Sequence, residues 1–321
     1  MINQQTTNRK GKVVLEKYTF AEPHMGTEFK LILYAPDEQT ASEAAIAAFD
    51  KIRYLNSVFS DYLPESEINR LSATAGTGQW VPASNDLFKV LRQAKRASRL
   101  SEGAFDVTAG PVVRQWRRAR ALNKLPDPEK VQAAQASAGY RLMLLDGLQQ
   151  AVKLKKEGMH LDLGGIAKGY TADQVLETLK ERGIYHALVD AGGDITAGEA
   201  PPGSKGWKVA VPAYKGGKNP KPLIVKNCAV ATSGDQYRHL VQDGERYSHI
   251  IDPRTGKPLT NHRIVTVVAP SGMQADWLAS ALSVLDIGRG KLLVNDLKDV
   301  SYRVLVSEKN ERLLIIATGI F

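Results

Sequence analysis

HLDLGGIAKGYTADQVLETLKERGIYHALVDAGGDITAG, residues 160–198, alternates the two hydrophobic periods from which a fold is read. HLDL has the pattern of a short strand, Gly164-Gly165 opens a turn, and TADQVLETLKERG is a helix that stops at Gly183. HALVDAGGDITAG then returns as strand, turn and strand. Neither double glycine belongs to a G-x-G-x-x-G pattern, so a Rossmann dinucleotide fold is unsupported. Gly169 is followed by Tyr170, not by Lys-Ser/Thr, so the turn is no Walker A loop. Exposed N–H groups at the start of the helix make an anion site. The plain alternative is a tight strand-to-helix turn. At Gly192-Gly193 the choice lies between backbone approach to a ligand and positive φ in a hairpin.

The flanks extend the pattern. Residues 29–34, FKLILY, read as a strand, and Thr40 with Glu43 makes a capping box ahead of a helix. Ala45, Phe49, Ile52, Leu55 and Phe59 share one face of it. Leu87, Val90, Leu91, Ala94 and Ala97 repeat the pattern in a second helix, stopped by Gly103. Strands at 141–146 and 151–155 flank Asp146-Gly147. Beyond the central stretch, 209–211, 223–225, 247–251 and 265–269 are strand-like, 273–285 is a helix, and 302–306 and 313–317 close as strands. Strands come in consecutive runs, and no period of 20–50 residues repeats. The fold class is therefore α+β. Residues 201–222, rich in Gly, Pro and Lys, read as a surface loop, and 1–12 as a loose, flexible tail ahead of a single domain over 13–321.

Composition sets outer bounds. With 321 residues, 43% hydrophobic and 24% charged, the chain matches ordinary globular proteins. One cysteine, Cys228, excludes a disulfide framework and a multi-cysteine metal site. No apolar run is long enough for a transmembrane helix, and the first twenty residues lack the apolar core of a signal peptide. The net charge of +9 suits a phosphate-bearing or acidic partner. Nucleic acid is not indicated, because basic residues are scattered apart from Arg114, Arg117, Arg118 and Arg120, and no finger or RRM signature is present.

Three further stretches carry chemistry. In ADWLASAL, Asp276 and Ser280 are four residues apart and share a helix face, where a carboxylate and a hydroxyl can hold a hard cation such as Mg²⁺. The plain reading is a solvent-facing Asp with a polar neighbour. AVATSGD ends in Ser233, Gly234 and Asp235, a hydroxyl and a carboxylate at a strand end. YSHIIDPRTGKPL sets His249 and Asp252 beside a turn built from Pro253 and Gly256. SDYLPESEINRLS and SEGAFDVTAGPVV read as turns entering helices.

Taken in order, MGTEF, SDYLPESEINRL, GAFDVTAGP, LDLGGIAKGYTAD, DAGGDI, AVATSGD, YSHIIDPRTGKP and ADWLASAL resemble the FAD:protein FMN transferase family, known as ApbE or Ftp. The resemblance runs from about Met25 to Leu285. It implies a two-lobed, T-fold-like α+β architecture with mixed or antiparallel sheets and flanking helices, and the flavin between the lobes. It also implies an enzyme that takes FAD and Mg²⁺, moves FMN onto a protein Ser or Thr and releases AMP. The implied acceptors are flavoprotein subunits of membrane redox complexes, of the sodium-pumping NADH:quinone reductase or Rnf type.

By resemblance the metal is held by Asp276, Ser280 and the backbone carbonyl of Ala167. Many family members carry Thr where this chain has Ser280, which keeps the oxygen and loses the methyl that restricts the rotamer. Met25, Tyr62, Ala104, Phe105 and Asp106 match flavin-pocket positions, with Tyr62 suited to stacking and Asp106 to accepting a hydrogen bond. Lys168 is the implied phosphate contact, and Ser233 a further contact to the flavin substrate. His249 is the first choice for the base that takes the acceptor proton, since an ordinary imidazole titrates near neutral pH. Asp252 orients it or binds substrate. The family's lipoprotein cysteine has no counterpart, since Cys228 is internal. The usual acceptors favour the cell envelope, and a cytoplasmic form stays open. The same residues would also serve an FAD pyrophosphatase, with water as nucleophile, or a non-catalytic flavin-binding module.

Overall fold

The computed structural model describes residues 14–213, 220–234, 239–307 and 313–321. The proposed tail at 1–12 and Asp235 lie outside them. The chain opens with the hairpin β1 (Glu16–His24) and β2 (Thr27–Ala35), then α1 (Glu38–Phe59), α2 (Glu67–Ala73), β3 (Val81–Pro82), α3 (Asn85–Leu100), α4 (Gly110–Ala121) and α5 (Pro128–Ala136). The hairpin β4 (Met143–Asp146) and β5 (Ala151–Leu154) leads to α6 (Ala167–Glu181), β6 (Ala187–Ala191) and β7 (Ile195–Ala197). Short strands β8 (Trp207–Val209) and β9 (Leu223–Val225) precede β10 (Cys228–Gly234), β11 (His239–Gln242), β12 (Glu245–Ser248), β13 (Ile251–Asp252), β14 (Lys257–Pro258) and β15 (His262–Ala269). Helices α7 (Gly272–Val284) and α8 (Ile287–Asn295) and strands β16 (Ser301–Ser307) and β17 (Leu313–Ala317) close the chain.

Eight strands form one sheet in the order β1-β2-β6-β7-β10-β15-β16-β17, with every neighbouring pair antiparallel. This is the α+β class, with antiparallel rather than mixed pairing. The alternation of β2 explains how the sheet is covered. Phe29, Leu31 and Leu33 are buried against Ala45, Ala48 and Ile52 of α1 and Val175 and Leu179 of α6. On the opposite face, Leu188 and Val230 meet Trp207, Val209 and Leu223. Helix α7 is buried on nearly every side, packed between β10, β15 and α3. Helices α2 to α5 and the sheet β3-β5-β4 build the second lobe. Among the described residues no helix is long and apolar enough to cross a membrane.

Several expectations need correction. The cap of α1 is Asp37, whose carboxylate accepts from Thr40 N–H at 2.8 Å, so Thr40 donates where a cap would accept. HLDL is not a strand. His160 makes one isolated bridge to Ala109, while Leu161 N–H donates to Ser72 Oγ at 3.2 Å and Asp162 N–H to the Val107 carbonyl at 2.8 Å. A hydroxyl from α2 and a loop carbonyl satisfy these N–H groups, so no ladder is needed. The 201–222 stretch is no simple surface loop, because β8 lies within it and buries Trp207 and Val209. Strand β1 was not anticipated: it is an edge strand with no fully buried residue, so its alternation carries little hydrophobic signal.

Candidate active site

Helices α6 and α7 cross at two glycines. A Cβ on Gly169 would sit 2.1 Å from the Gly272 carbonyl oxygen, and one on Gly272 would sit 2.5 Å from the Gly169 oxygen. Only backbones without side chains can approach this closely. The contact sets Asp276 of α7 against the first turn of α6, where Gly169 N–H donates to Asp276 Oδ2 at 3.1 Å. The crossing is locked from the other side by Asp173 of α6, which accepts from Gly272 N–H at 2.6 Å and Met273 N–H at 2.9 Å. Ala167, the first residue of α6, thereby comes to the same wall as Asp276 and Ser280.

That wall belongs to a cavity of about 1890 Å³ between the sheet and the second lobe. Ordinary small-molecule sites hold ~300–1,000 Å³, so this one has room for a dinucleotide and a second reactant. Of the twelve residues singled out from the sequence, eleven line it and Asp252 does not. Asp252 is engaged in its own turn: Arg254 Nε donates to Oδ1 at 2.9 Å and Arg254 NH2 to Oδ2 at 2.8 Å. His249, half-buried between β12 and β13, faces the cavity. Ser233 reaches it from the end of β10.

Electrostatics distinguish the two carboxylates at the crossing. Burial pushes Asp276 above the ordinary carboxylate range, against the pull of the Lys168 charge and the Gly169 N–H. Burial lifts Asp173 to about 6, although Met273 and Gly272 N–H groups and the Thr196 hydroxyl favour its charged form. The Lys168 ammonium pairs with Asp194, whose other oxygen accepts from Thr232 N–H at 3.2 Å. Asp194 is 6% exposed, so the lysine is anchored from beneath.

The flavin-pocket positions have varied surroundings. Met25 sits at φ +50° in the two-residue turn of the β1–β2 hairpin, a conformation uncommon for a non-glycine residue. Asp106 spends its acceptors locally, on Thr108 N–H at 2.8 Å, Thr108 Oγ1 at 2.7 Å and Tyr140 N–H at 2.8 Å. Ala104 and Phe105 are buried beside it, and Phe105 packs on Trp277 with ring centroids 6.2 Å apart. Tyr62, in contrast, is 70% exposed.

Comparison with known proteins identifies the family. The model of the ApbE family covers residues 25–304. The chain belongs to the ApbE family. It is 34% identical over 242 residues to a Haemophilus influenzae FAD:protein FMN transferase, covering 73% of this chain and 70% of that one. A Klebsiella pneumoniae FAD:protein FMN transferase is 31% identical over 299 residues, 92% of this chain and 91% of the relative. Among solved structures, the flavin transferase ApbE of Vibrio cholerae superimposes with a TM-score of 0.84 at 27% identity, over 96% of this chain and 99% of that one. The ApbE protein of Thermotoga maritima gives 0.81 at 27% identity, over 93% and 96%.

Two groups in this ApbE chain escaped the reading of the sequence. Asp194 stood inside DAGGDI without a role, and its charge beside a double glycine was the available signal. Arg117 stood in a basic cluster, and nothing local showed that it faces the cavity while Arg114 and Arg118 face solvent.

Proposed function

We propose that this chain transfers FMN from FAD to a Ser or Thr hydroxyl of an acceptor protein in a Mg²⁺-dependent reaction, releasing AMP. The observation that carries the reading is the oxygen-rich α6–α7 crossing on the wall of a cavity that His249 also lines. The names of the relatives, FAD:protein FMN transferases, support the reaction class.

The residues present fit a hard cation. Asp276 Oδ2 accepts from Gly169, while its other oxygen accepts no hydrogen bond among the described residues. Ser280 Oγ lies in the space that a Cβ on Gly165 would fill, 2.7 Å away. Among the described residues no three His, Cys, Asp or Glu side chains gather as a metal group. One carboxylate, one hydroxyl and the Ala167 carbonyl would hold Mg²⁺ and leave positions for phosphate oxygens and water. When bound, the ion offsets negative charge on the pyrophosphate.

The chain's own groups supply the rest. Lys168, fixed by Asp194, places a cation beside the phosphates. His249 takes the proton of the acceptor hydroxyl as its oxygen bonds to the FMN phosphorus. The bond from that phosphorus to the bridging oxygen breaks, and AMP departs with that oxygen. Acceptors of the flavoprotein type found in membrane redox complexes present such hydroxyls.

The test supplies FAD and Mg²⁺ with a candidate acceptor and reads AMP and the acceptor mass together. Transfer gives AMP and an acceptor heavier by one FMN phosphoester, and Asp276→Asn loses both. AMP without the mass gain would make the chain a pyrophosphatase. Flavin binding with neither product would make it a binding module.

A further inference from the structure

We infer that Arg117 is a positioning residue that presents Tyr62 as a one-faced stacking platform for a planar ring of FAD, an inference resting on the flavin-transfer reading. Tyr62 lies on the turn between α1 and α2, and at 70% exposure little packs against it. A tyrosine so placed on a turn would ordinarily sample several rotamers. Here the guanidinium carbon of Arg117 lies over its ring, 4.3 Å from the centroid. A cation over an aromatic face at this distance is attractive.

Arg117 is itself held by both prongs of its fork. NH1 donates to Asp61 Oδ2 at 2.7 Å and NH2 to Asp162 Oδ2 at 3.0 Å. The Asp61 and Asp162 side chains are 10% and 14% exposed and that of Arg117 is 29% exposed, so these pairs are partly shielded from solvent rather than fully exposed surface pairs. Asp162 is anchored in turn by Gly164 N–H at 2.8 Å. The fork therefore ties the SDY turn of one lobe to the LDLGG turn that opens α6. Asp61, Tyr62, Arg117 and Asp162 all line the cavity. With one face of the phenol under the guanidinium, the opposite face is the one that receives a ring. Lysine cannot replace this arrangement, because it has neither the planar fork nor the stacking surface.

The experiment measures affinity for FAD, FMN and AMP in the full chain by flavin fluorescence and calorimetry, with steady-state transfer kinetics alongside. The variants are Tyr62→Leu, Arg117→Lys and the pair combined. Arg117→Lys keeps a cation between the two aspartates, so neither carboxylate is left facing no positive charge. Tyr62→Leu is expected to weaken FAD about tenfold (~1.4 kcal/mol). Arg117→Lys is expected to weaken it three- to tenfold, as a rise in KM for FAD and not a fall in kcat. In the Tyr62→Leu background the Arg117 change should add less than twofold, since its effect passes through the missing ring. The fragment, FMN or AMP, that loses affinity in Tyr62→Leu identifies the stacked ring. Should Arg117→Lys fold poorly, Asp61→Asn removes one prong and must give the same non-additive pattern. Additive effects, or unchanged FAD affinity in Arg117→Lys, would overturn the inference while leaving flavin transfer intact. Absence of FAD binding in the unmodified chain would instead remove the flavin-transfer reading itself.

Discussion

Gly169 and Asp276 are 107 residues apart in sequence and joined by one hydrogen bond, from the Gly169 N–H to the Asp276 carboxylate at 3.1 Å. The bond gives α6, which has no side-chain cap of its own, a carboxylate at its positive end. It also holds Asp276 where a cation and a pyrophosphate would need it. One contact serves the fold and the proposed chemistry.

Gly169→Ala should break that contact. Its Cβ would meet the Gly272 carbonyl oxygen at 2.1 Å, the Gly272 carbonyl carbon at 2.4 Å and Asp276 Cβ at 2.9 Å. Backbone atoms cannot rotate away, so the helices must part, at a cost of ~1–3 kcal/mol or more. Thermal unfolding should show a clearly lower midpoint together with loss of Mg²⁺-dependent transfer. A midpoint within a degree of the unmodified chain would mean the crossing is looser than described.

Gly165→Ala tests the neighbouring contact and should leave the fold standing. The added Cβ would lie 2.7 Å from Ser280 Oγ, a hydroxyl that can rotate, and 3.2 Å from Cε2 of the buried Phe105 ring, which need give by only a few tenths of an ångström. Ser280 then turns away, and Mg²⁺ affinity should fall about tenfold or more, ~1.4 kcal/mol. Titrating Mg²⁺ against transfer rate checks this. Unchanged affinity would remove Ser280 from the ligand set.

Asp173 predicts a pH dependence of stability. The folded chain holds its proton up to about pH 6, while an ordinary aspartate releases it near 3.8. Folding therefore takes up a proton between these values, and this group's contribution to stability falls as pH rises from about 4 to about 6 and is level above. The full effect is at most ~3 kcal/mol, from ~1.4 per pH unit. Asp173→Asn should flatten that part of the profile. Subtracting the two profiles, measured by denaturant titration at pH 4, 5, 6 and 7, isolates the residue from other buried carboxylates. A difference independent of pH would refute the assignment.

His249→Gln should lower transfer by ~10²–10⁴, the range for removing a general base, with FAD affinity within about threefold. Stopped-flow transfer and flavin fluorescence separate the two quantities. If FAD affinity falls in step with the rate, His249 acts as a wall of the pocket and not as the base.

Much of the candidate site was legible in the sequence because its signals are local. The i, i+4 spacing of Asp276 and Ser280 specifies a shared helix face without reference to any other segment. The glycines of LDLGG and DAGGDI mark turns for the same reason, and the eight ordered motifs point to a family whose model covers residues 25–304. Asp252 shows the limit of such reasoning. Its spacing from His249 suggested partnership, yet its carboxylate closes a salt bridge to Arg254 within the same turn.

Periodic and local features follow from the order of residues: the α+β class, the faces of the long helices, the turns and the list of polar groups with chemistry to offer. Tertiary structure alone decided which of them meet. Gly169 and Gly272 press together because neither has a side chain. Arg117 finds Asp61 and Asp162 from two other segments, and Lys168 finds Asp194. The difference is one of range. Helical and turn propensities act over a few residues, whereas a buried charge is placed by whatever distant partner the packed chain brings within ~4 Å to offset its desolvation.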